Sequence, residues 1–162
     1  MPASTVRLVI DTNIILRGLL NTRSLSGRIL DAVEKRRVLL LLSKPVLDEY
    51  RAVLTDPAIV ERFPELSTEA VEVALRRLRY LSEYFRSVRA RFEFPRDPRD
   101  EMLIELAISG KATDIVSADN DLLSLPTGHA DASKRLRQRL PNLSIVSPGE
   151  FLDLHHAGLE RR

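Results

Sequence analysis

The 162-residue chain contains no cysteine. This absence excludes disulfide bonds and zinc sites built on thiolates. The longest apolar run, residues 38–42, is far too short to span a bilayer, and the N-terminus lacks the charged-then-apolar layout of a secretory signal. We therefore expect a cytoplasmic protein that does not cross a membrane.

A strong excess of one charge is also missing. The 25 basic and 23 acidic residues leave a net charge of +2, which by itself does not indicate a nucleic-acid-binding protein. The basic residues are mostly arginines, and they cluster in residues 86–99 and 134–139. Arginine suits bidentate contact with phosphate, which favours a phosphodiester substrate. Charge runs taken alone favour the alternative, a solvated surface.

Hydrophobic periodicity predicts strands that alternate with helices along the chain. We expect strands at residues 6–10, 38–42, 88–92, 114–118 and 143–146, and helices at residues 14–20, 26–37, 43–54, 58–63, 68–85, 98–109 and 148–155. This alternation predicts an α/β fold, a three-layer α/β/α sandwich around a mostly parallel sheet. The length fits one domain spanning residues 1–162.

Two acids directly follow predicted strands. Asp11 ends the run VRLVID, and Asp119 follows DIVSA. Sites in open α/β sheets form beyond the carboxyl ends of strands, so both carboxylates are expected at one edge of the sheet. The alternative for each is a turn former or a helix cap, since Asp119–Asp121 also fits an Asx turn.

Two further acids are selected by helical phase. Glu49 lies near the apolar face of its helix, whereas Asp48 points away from it. Asp100 falls on the inward face of the helix at residues 98–109, where a charge needs a partner or a metal. Helix capping and the helix dipole also suit the segment DPRD, so we assign Asp97 to capping and Asp100 to metal binding.

Four carboxylates without a cysteine or histidine cluster suit hard cations, and Mg²⁺ or Mn²⁺ is the expected cofactor. The leading hypothesis is therefore a metal-dependent nuclease. A phosphatase with an aspartyl nucleophile normally needs a second Asp two positions after the first, and here Asn13 occupies that position. A module that binds RNA or protein without catalysis is the other alternative.

These segments resemble the PIN-domain family, in particular its bacterial and archaeal toxin-like branch from toxin–antitoxin systems. VIDTN resembles the opening strand, SKPVLDE the second acidic segment, and DPRDEMLIELAISGKATDIVSADNDLL the long family signature. The resemblance implies a ribonuclease that leaves 5′-phosphates, frequent homodimers and a neutralising antitoxin. It also implies that the catalytic metal ligands are Asp11, Glu49, Asp100 and Asp119, with Asp121 as an accessory acid.

Two polar residues lie close in sequence to these acids and are candidates for supporting them. Ser117 stands where the family has Thr or Ser. Asn13 is a candidate for steering Asp11 or a bound water, with helix capping as an equal alternative.

Residues 125–142 depart from the family pattern, because they are longer and more basic than the usual link. We predict one or two helical turns there, forming an arm that grips single-stranded RNA through its backbone. An equal alternative is a surface helix that pairs with acids of a second subunit. The expected RNA contacts are Arg96, Arg99, Lys134, Arg135, Arg137 and Arg139, while the histidines His129, His155 and His156 are expected at the surface.

Overall fold

The computed structural model describes residues 5–160. Its five strands form one sheet in the order β3-β2-β1-β4-β5, with every neighbouring pair parallel. The strands are β1 (Arg7–Ile10), β2 (Leu39–Ser43), β3 (Glu83–Phe85), β4 (Asp114–Val116) and β5 (Ser144–Val146). The expected α/β fold is confirmed, and the sheet is entirely parallel.

Nine α-helices lie within the described residues and connect the strands. They are α1 (Thr12–Leu20), α2 (Leu25–Glu34), α3 (Lys44–Leu54), α4 (Pro57–Arg62), α5 (Thr68–Leu81), α6 (Glu101–Gly110), α7 (Asn120–Leu123), α8 (Asp131–Arg139) and α9 (Pro148–Leu159). Short 3₁₀ turns occur at Pro98–Asp100 and Leu125–Thr127. No helix among these is long and apolar enough to cross a membrane.

The strand order explains how the sheet is covered on both faces. The chain runs from β1 outward to β3 and then returns past β1 to β4 and β5. Right-handed crossovers in opposite directions place the intervening helices on opposite faces. Accordingly α2 packs against α1 and α9, whereas α6 packs against β1 and β2. The central strands are continuous apolar runs with no exposed surface at Leu8, Val9 and Ile10, as burial on both faces requires.

Serine caps begin most of the longer helices. Ser24, Ser43, Ser67 and Ser147 each accept a hydrogen bond from the backbone N–H three residues on. In α1 the cap is Asp11, which accepts from the Thr12 N–H at 2.7 Å. The capping alternative for Asn13 is therefore wrong, because the helix begins at Thr12, two residues earlier than the apolar pattern indicates.

The predicted helix at residues 68–85 is too long. Helix α5 ends at Leu81, and the next residues form the edge strand β3 beside β2. An edge strand of three residues is paired on one side only, so its sequence lacks the apolar run of a central strand. The Glu83 carboxylate is held at 2.7 Å by the guanidinium of Arg7 from β1.

The strand expected at residues 88–92 does not form. The segment has no regular structure, and side chains of neighbouring helices satisfy its backbone instead of a sheet. Glu105 of α6 accepts from the Phe92 N–H at 3.0 Å, and Arg139 of α8 donates to the Arg91 carbonyl at 2.8 Å. The apolar residue that suggested a strand here is Phe92, whose side chain is buried in the core.

Helix α6 continues through Gly110, one residue beyond the end predicted from the sequence. The turn beyond it is made by Lys111, which adopts a left-handed conformation with φ of 51°. Gly110 is needed for close packing, because a Cβ there would lie 2.7 Å from Leu41 Cδ1. The glycine therefore sets how closely α6 approaches β2.

We predict that Gly110→Ala destabilises the protein by about 1–3 kcal/mol, because the added methyl group overpacks the contact with Leu41. The matched control is Gly158→Ala in α9, where a Cβ would meet nothing within 4 Å. Alanine there should be neutral or slightly stabilising. Denaturant unfolding followed by circular dichroism measures both changes, and equal stability of the two variants would contradict the packing argument.

Candidate metal centre

A cavity of about 180 Å³ lies at the carboxyl ends of the central strands. We call it the acidic cavity. Its lining includes all four acids expected from the sequence, together with one more aspartate: Asp11, Glu49, Asp97, Asp100 and Asp119. Strand ends supply Asp11 and Asp119, α3 supplies Glu49, and the 3₁₀ turn before α6 supplies the remaining two.

Three of these carboxylates form the tightest group. Asp97, Asp100 and Asp119 each offer an oxygen, and the three oxygens lie within 4.8 Å of one another. Asp11 and Glu49 line the same cavity without belonging to this group. The arrangement is one that a single small cation can bridge.

Asp97 is the member of this group that sequence reasoning assigned to capping alone. It does cap the turn, accepting from the Arg99 N–H at 3.2 Å. The turn is 3₁₀ in form, and such a turn places residues i and i+3 on the same side. Reading the spacing from Asp97 to Asp100 as 3₁₀ would have identified the extra acid.

Ser117 joins the two strand ends. Its hydroxyl donates to Asp11 Oδ2 at 2.7 Å and accepts from the Asp119 N–H at 3.0 Å. The other oxygen of Asp11 accepts from the Thr12 N–H. Ser117 has no exposed surface, so the carboxylate of Asp11 is fixed in orientation from inside the fold.

Helix α3 turns Glu49 and Asp48 in different directions. Glu49 is half-buried and lines the acidic cavity. Asp48 is exposed and forms ion pairs with Lys44 at 2.6 Å and Arg51 at 3.6 Å. Helical phase therefore placed these side chains correctly, while the role of Glu49 as a ligand stays a prediction.

At the start of α6 the same contrast holds between Asp100, in the 3₁₀ turn, and its neighbour Glu101. Asp100 is buried, and its Oδ2 has no hydrogen-bond partner among the described residues. The Glu101 carboxylate accepts from the Phe94 N–H at 3.0 Å, outside the lining of the acidic cavity. Glu101 is thus occupied in holding the backbone.

Asp121 faces away from the acidic cavity. Its N–H donates to Asp119 Oδ1 at 2.9 Å, but its carboxylate lies 3.5 Å from the guanidinium of Arg96 and lines a neighbouring pocket. Asn13 is exposed and lines the acidic cavity. The accessory roles predicted for Asp121 and Asn13 remain predictions.

The electrostatics of the acidic cavity favour a cation. Burial, together with the negative charges of Asp11, Asp97 and Asp119, raises the pKa of the Asp100 carboxyl from 3.8 to about 8. Burial also raises the pKa of Asp11, against the hydrogen bonds from Ser117 and the Thr12 N–H. A proton relieves this repulsion, and a hard divalent cation bound by the same oxygens would relieve it more fully. The donor set and the unpartnered buried oxygen of Asp100 therefore fit a metal ion.

The basic residues expected to contact substrate are in different surroundings. Arg99 lines the acidic cavity, with its guanidinium 3.6 Å from Asp97, and Lys134 is exposed on α8. Three arginines of α8 donate to backbone carbonyls of their own chain: Arg135 to Glu93, Arg137 to Pro126 and Gly128, and Arg139 to Arg91. Arg135 and Arg139 hold α8 against the segment before α6, whereas Arg137 ties α8 to the turn that precedes it within residues 125–142.

The expectation of surface positions for all the histidines is wrong for His155. Its Nε2 lies 2.9 Å from Oδ1 of Asp114, which is buried at the start of β4, and its ring packs on Phe151. His129 and His156 are exposed, as expected. The His155 contact lies at the end of β4 opposite the acidic cavity and fastens α9 to the sheet.

Comparison with known proteins agrees with this geometry. A family model described as PIN domain matches residues 7–121, and the chain belongs to that family. PIN domains are generally nucleases that depend on divalent metal ions, and the cluster of three aspartates matches that chemistry. The matched segment contains every acid of the acidic cavity and ends before residues 125–142.

A relative of similar length has no described activity. The chain is 27% identical over 154 residues to the uncharacterized protein MJ1680 of Methanocaldococcus jannaschii, covering 91% of this chain and 90% of the relative. No solved structure matches the chain significantly.

We predict that Asp100→Asn stabilises the metal-free protein. Between about pH 4 and pH 8 the folded protein retains a proton on Asp100 that the unfolded chain has released. The free energy of unfolding of the unmodified protein should therefore fall relative to the variant as pH rises through this window, reaching a deficit of at least about 1 kcal/mol at pH 8. Thermal unfolding in EDTA from pH 5 to pH 8.5 measures the difference.

The control for this series is Asp48→Asn, which changes an exposed carboxylate with its own ion-pair partners. It should show no pH-dependent gain across the same range. A loss of stability in Asp100→Asn at pH 8 without metal would show that repulsion in the acidic cavity is not the dominant effect.

Proposed function

We propose that this protein is a divalent-metal-dependent endoribonuclease that hydrolyses phosphodiester bonds of single-stranded RNA with Mg²⁺ or Mn²⁺. The observation that carries the proposal is the group formed by Asp97, Asp100 and Asp119, in which a buried oxygen of Asp100 has no hydrogen-bond partner within residues 5–160. Glu49 and Asp11 extend this group within the same cavity. Oxygen donors alone suit these two cations.

In this proposal the cation, when bound, stabilises charge on the scissile phosphate and lowers the pKa of the attacking water. Asp100, Asp97 and Asp119 hold it, and Glu49 and Asp11 complete the set of acids. Ser117 keeps Asp11 oriented through the 2.7 Å hydrogen bond. Hydrolysis in line with the leaving oxygen gives a 5′-phosphate and a 3′-hydroxyl.

The contacts of the basic residues divide them into two groups. Arg99 is exposed at the acidic cavity, Arg96 lies beside Asp121, and Lys134 is exposed on α8, so these three are the proposed contacts to the RNA backbone. Arg135, Arg137 and Arg139 already donate to carbonyls of the chain. Their proposed role is to hold the arm, with any phosphate contact coming from their remaining donors.

We predict that the protein cleaves single-stranded RNA in Mn²⁺ or Mg²⁺ and is silent in excess EDTA. Asp119→Asn and Glu49→Ala should each lower kcat/KM by at least about 100-fold, because each removes an oxygen donor from the acidic cavity. The matched control is Asp48→Ala on the same helix as Glu49, which should leave kcat/KM within about twofold of the unmodified protein. Gel assays on a labelled oligoribonucleotide, with Mn²⁺ titration calorimetry, provide the two readouts.

Full cleavage in excess EDTA would reject the metal dependence. Mn²⁺ binding without cleavage of any RNA or DNA would favour the alternative of a PIN-like module that binds without catalysis. A larger loss of Mn²⁺ affinity in Asp48→Ala than in Glu49→Ala would reject only the assignment of Glu49.

We further propose that the protein is the toxin of a toxin–antitoxin pair, acts in the cytoplasm as a homodimer and is neutralised by an antitoxin protein. The support is the resemblance to the toxin-like branch of the family. For the contact with a second subunit or with an antitoxin, the proposed surface is the exposed face of α5. It carries the apolar side chains of Val73 and Tyr80, which are 58% and 68% exposed.

Expression in a bacterial host should arrest growth, and the arrest should be absent with Asp119→Asn at equal protein level, because the arrest depends on RNA cleavage. Colony counts and total RNA gels after induction check this. Normal growth together with demonstrated RNA cleavage in vitro would reject the toxin role and retain the nuclease.

A further inference from the structure

A second and larger cavity of about 550 Å³ lies next to the acidic cavity. Its walls come from residues 93–96, before the 3₁₀ turn, and from residues between 121 and 135, which include the first part of the arm. We call it the arm pocket. Its volume falls within the range of roughly 300–1,000 Å³ typical of small-molecule sites.

The two cavities share a wall. The pair formed by Arg96 and Asp121, 3.5 Å apart, belongs to the arm pocket. Asp97, the next residue after Arg96, belongs to the acidic cavity, and the Asp121 N–H donates to Asp119 of that cavity. A phosphodiester at the acidic cavity would therefore have a neighbouring nucleotide within reach of the arm pocket.

The interior and the rim of the arm pocket differ in character. Phe94, Leu125 and Ala132 supply apolar walls and are at most 8% exposed, with the buried hydroxyl residue Ser133 beside them. The rim carries charges of both signs, from Arg96, Arg135, Glu93, Asp121 and Asp131. Mixed charges do not make an anion site. An apolar interior with a few polar groups suits a planar, uncharged ring that carries hydrogen-bonding edges.

Fixed contacts hold both walls of the arm pocket. Arg135 donates to the Glu93 carbonyl at 2.8 Å, and its guanidinium lies 5.5 Å from the centre of the Phe92 ring. Arg137 donates to the carbonyls of Pro126 and Gly128. The walls are thus tied together before any ligand binds, which lowers the entropy lost on binding.

We propose that the arm pocket accepts one nucleobase of single-stranded RNA, from a nucleotide next to the phosphodiester held at the acidic cavity. The proposal rests on the proposed nuclease function, and it explains why this nuclease would prefer single-stranded RNA to a duplex. A base inside the pocket is neither paired nor stacked on its neighbours. A duplex must pay unpairing energy of a few kcal/mol to present such a base, so it is a poorer substrate.

The test fills the arm pocket from its rim. Ala130 and Ser124 are exposed residues that line it, and Ala130 makes no side-chain cap to α8. The variants are Ala130→Trp and Ser124→Trp, and the control is Gln138→Trp, on the exposed surface of α8 outside the pocket. Each variant is assayed in Mn²⁺ on a single-stranded oligoribonucleotide, on the same sequence as a duplex, and on bis(p-nitrophenyl) phosphate, a phosphodiester without a base.

We expect both pocket-filling variants to lower the ratio of kcat/KM for single-stranded RNA to kcat/KM for bis(p-nitrophenyl) phosphate by at least about tenfold. Their preference for single strands over duplex should shrink as well, and Gln138→Trp should change neither ratio. Affinity for the oligoribonucleotide, measured by fluorescence anisotropy in an Asp119→Asn background, should fall in parallel.

Unchanged ratios and unchanged affinity in both pocket-filling variants would overturn the base-pocket proposal while leaving the nuclease intact. An equal fall on all three substrates would also overturn it, because the substitutions would then act on the acidic cavity. Absence of hydrolysis of every substrate by the unmodified protein would instead overturn the proposed nuclease function, and the base pocket with it.

Discussion

The hydrogen bond from Ser117 to Asp11 connects the two strand ends that create the acidic cavity. β1 and β4 are parallel neighbours in the sheet, and the strand order reverses between them: the chain proceeds from β1 to β2 and β3 on one side, and from β4 to β5 on the other. No crossover helix therefore covers the carboxyl ends of both strands. A crevice opens at such a point in parallel sheets. Ser117 also accepts from the Asp119 backbone, so one buried hydroxyl sets the position of an acid on each strand.

Gathering five carboxylates around this crevice works against stability. The raised pKa values of Asp100 and Asp11 express that cost, since each shift is free energy lost when the group ionises in the folded protein. Burial of the apolar core offsets this loss of stability. β1, β2 and β4 are inaccessible to solvent along most of their length, and α6 packs tightly on β2 through Gly110. A cation bound by these carboxylates would remove that cost, so metal binding would stabilise the folded protein.

Sequence reasoning placed most of the acidic cavity because two simple rules apply to it. Acids after buried strands lie at the carboxyl edge of a parallel sheet, which located Asp11 and Asp119. Helical phase located Glu49 and Asp100. Asp97 was missed as a member because its turn is 3₁₀, a form that a period of 3.6 residues does not describe.

Two other misses, the strand at residues 88–92 and the surface position of His155, share a cause: side chains distant in sequence took over backbone or packing roles. Nothing in the pattern of residues 88–92 shows that their backbone groups bond to α6 and α8 instead of to a strand. Likewise the partner of His155 is a buried aspartate 41 residues away. Local patterns determine where elements form, whereas these contacts exist only after the elements have packed.

Helix α6 shows how the two cavities come to adjoin. Its N-terminal turn places Asp100 toward the acidic cavity, while Glu101 and Glu105, one turn apart on another face, accept from the Phe94 and Phe92 N–H groups. Those two bonds fix the segment that forms one wall of the arm pocket, and α8 closes over it through Arg135 and Arg139. The start of one helix therefore positions an acid of the acidic cavity, and the same helix holds the backbone of the neighbouring wall. These hydrogen bonds set the distance between the acidic cavity and the arm pocket, and a fixed distance is what a base bound in the pocket would need in order to align a phosphate at the acidic cavity.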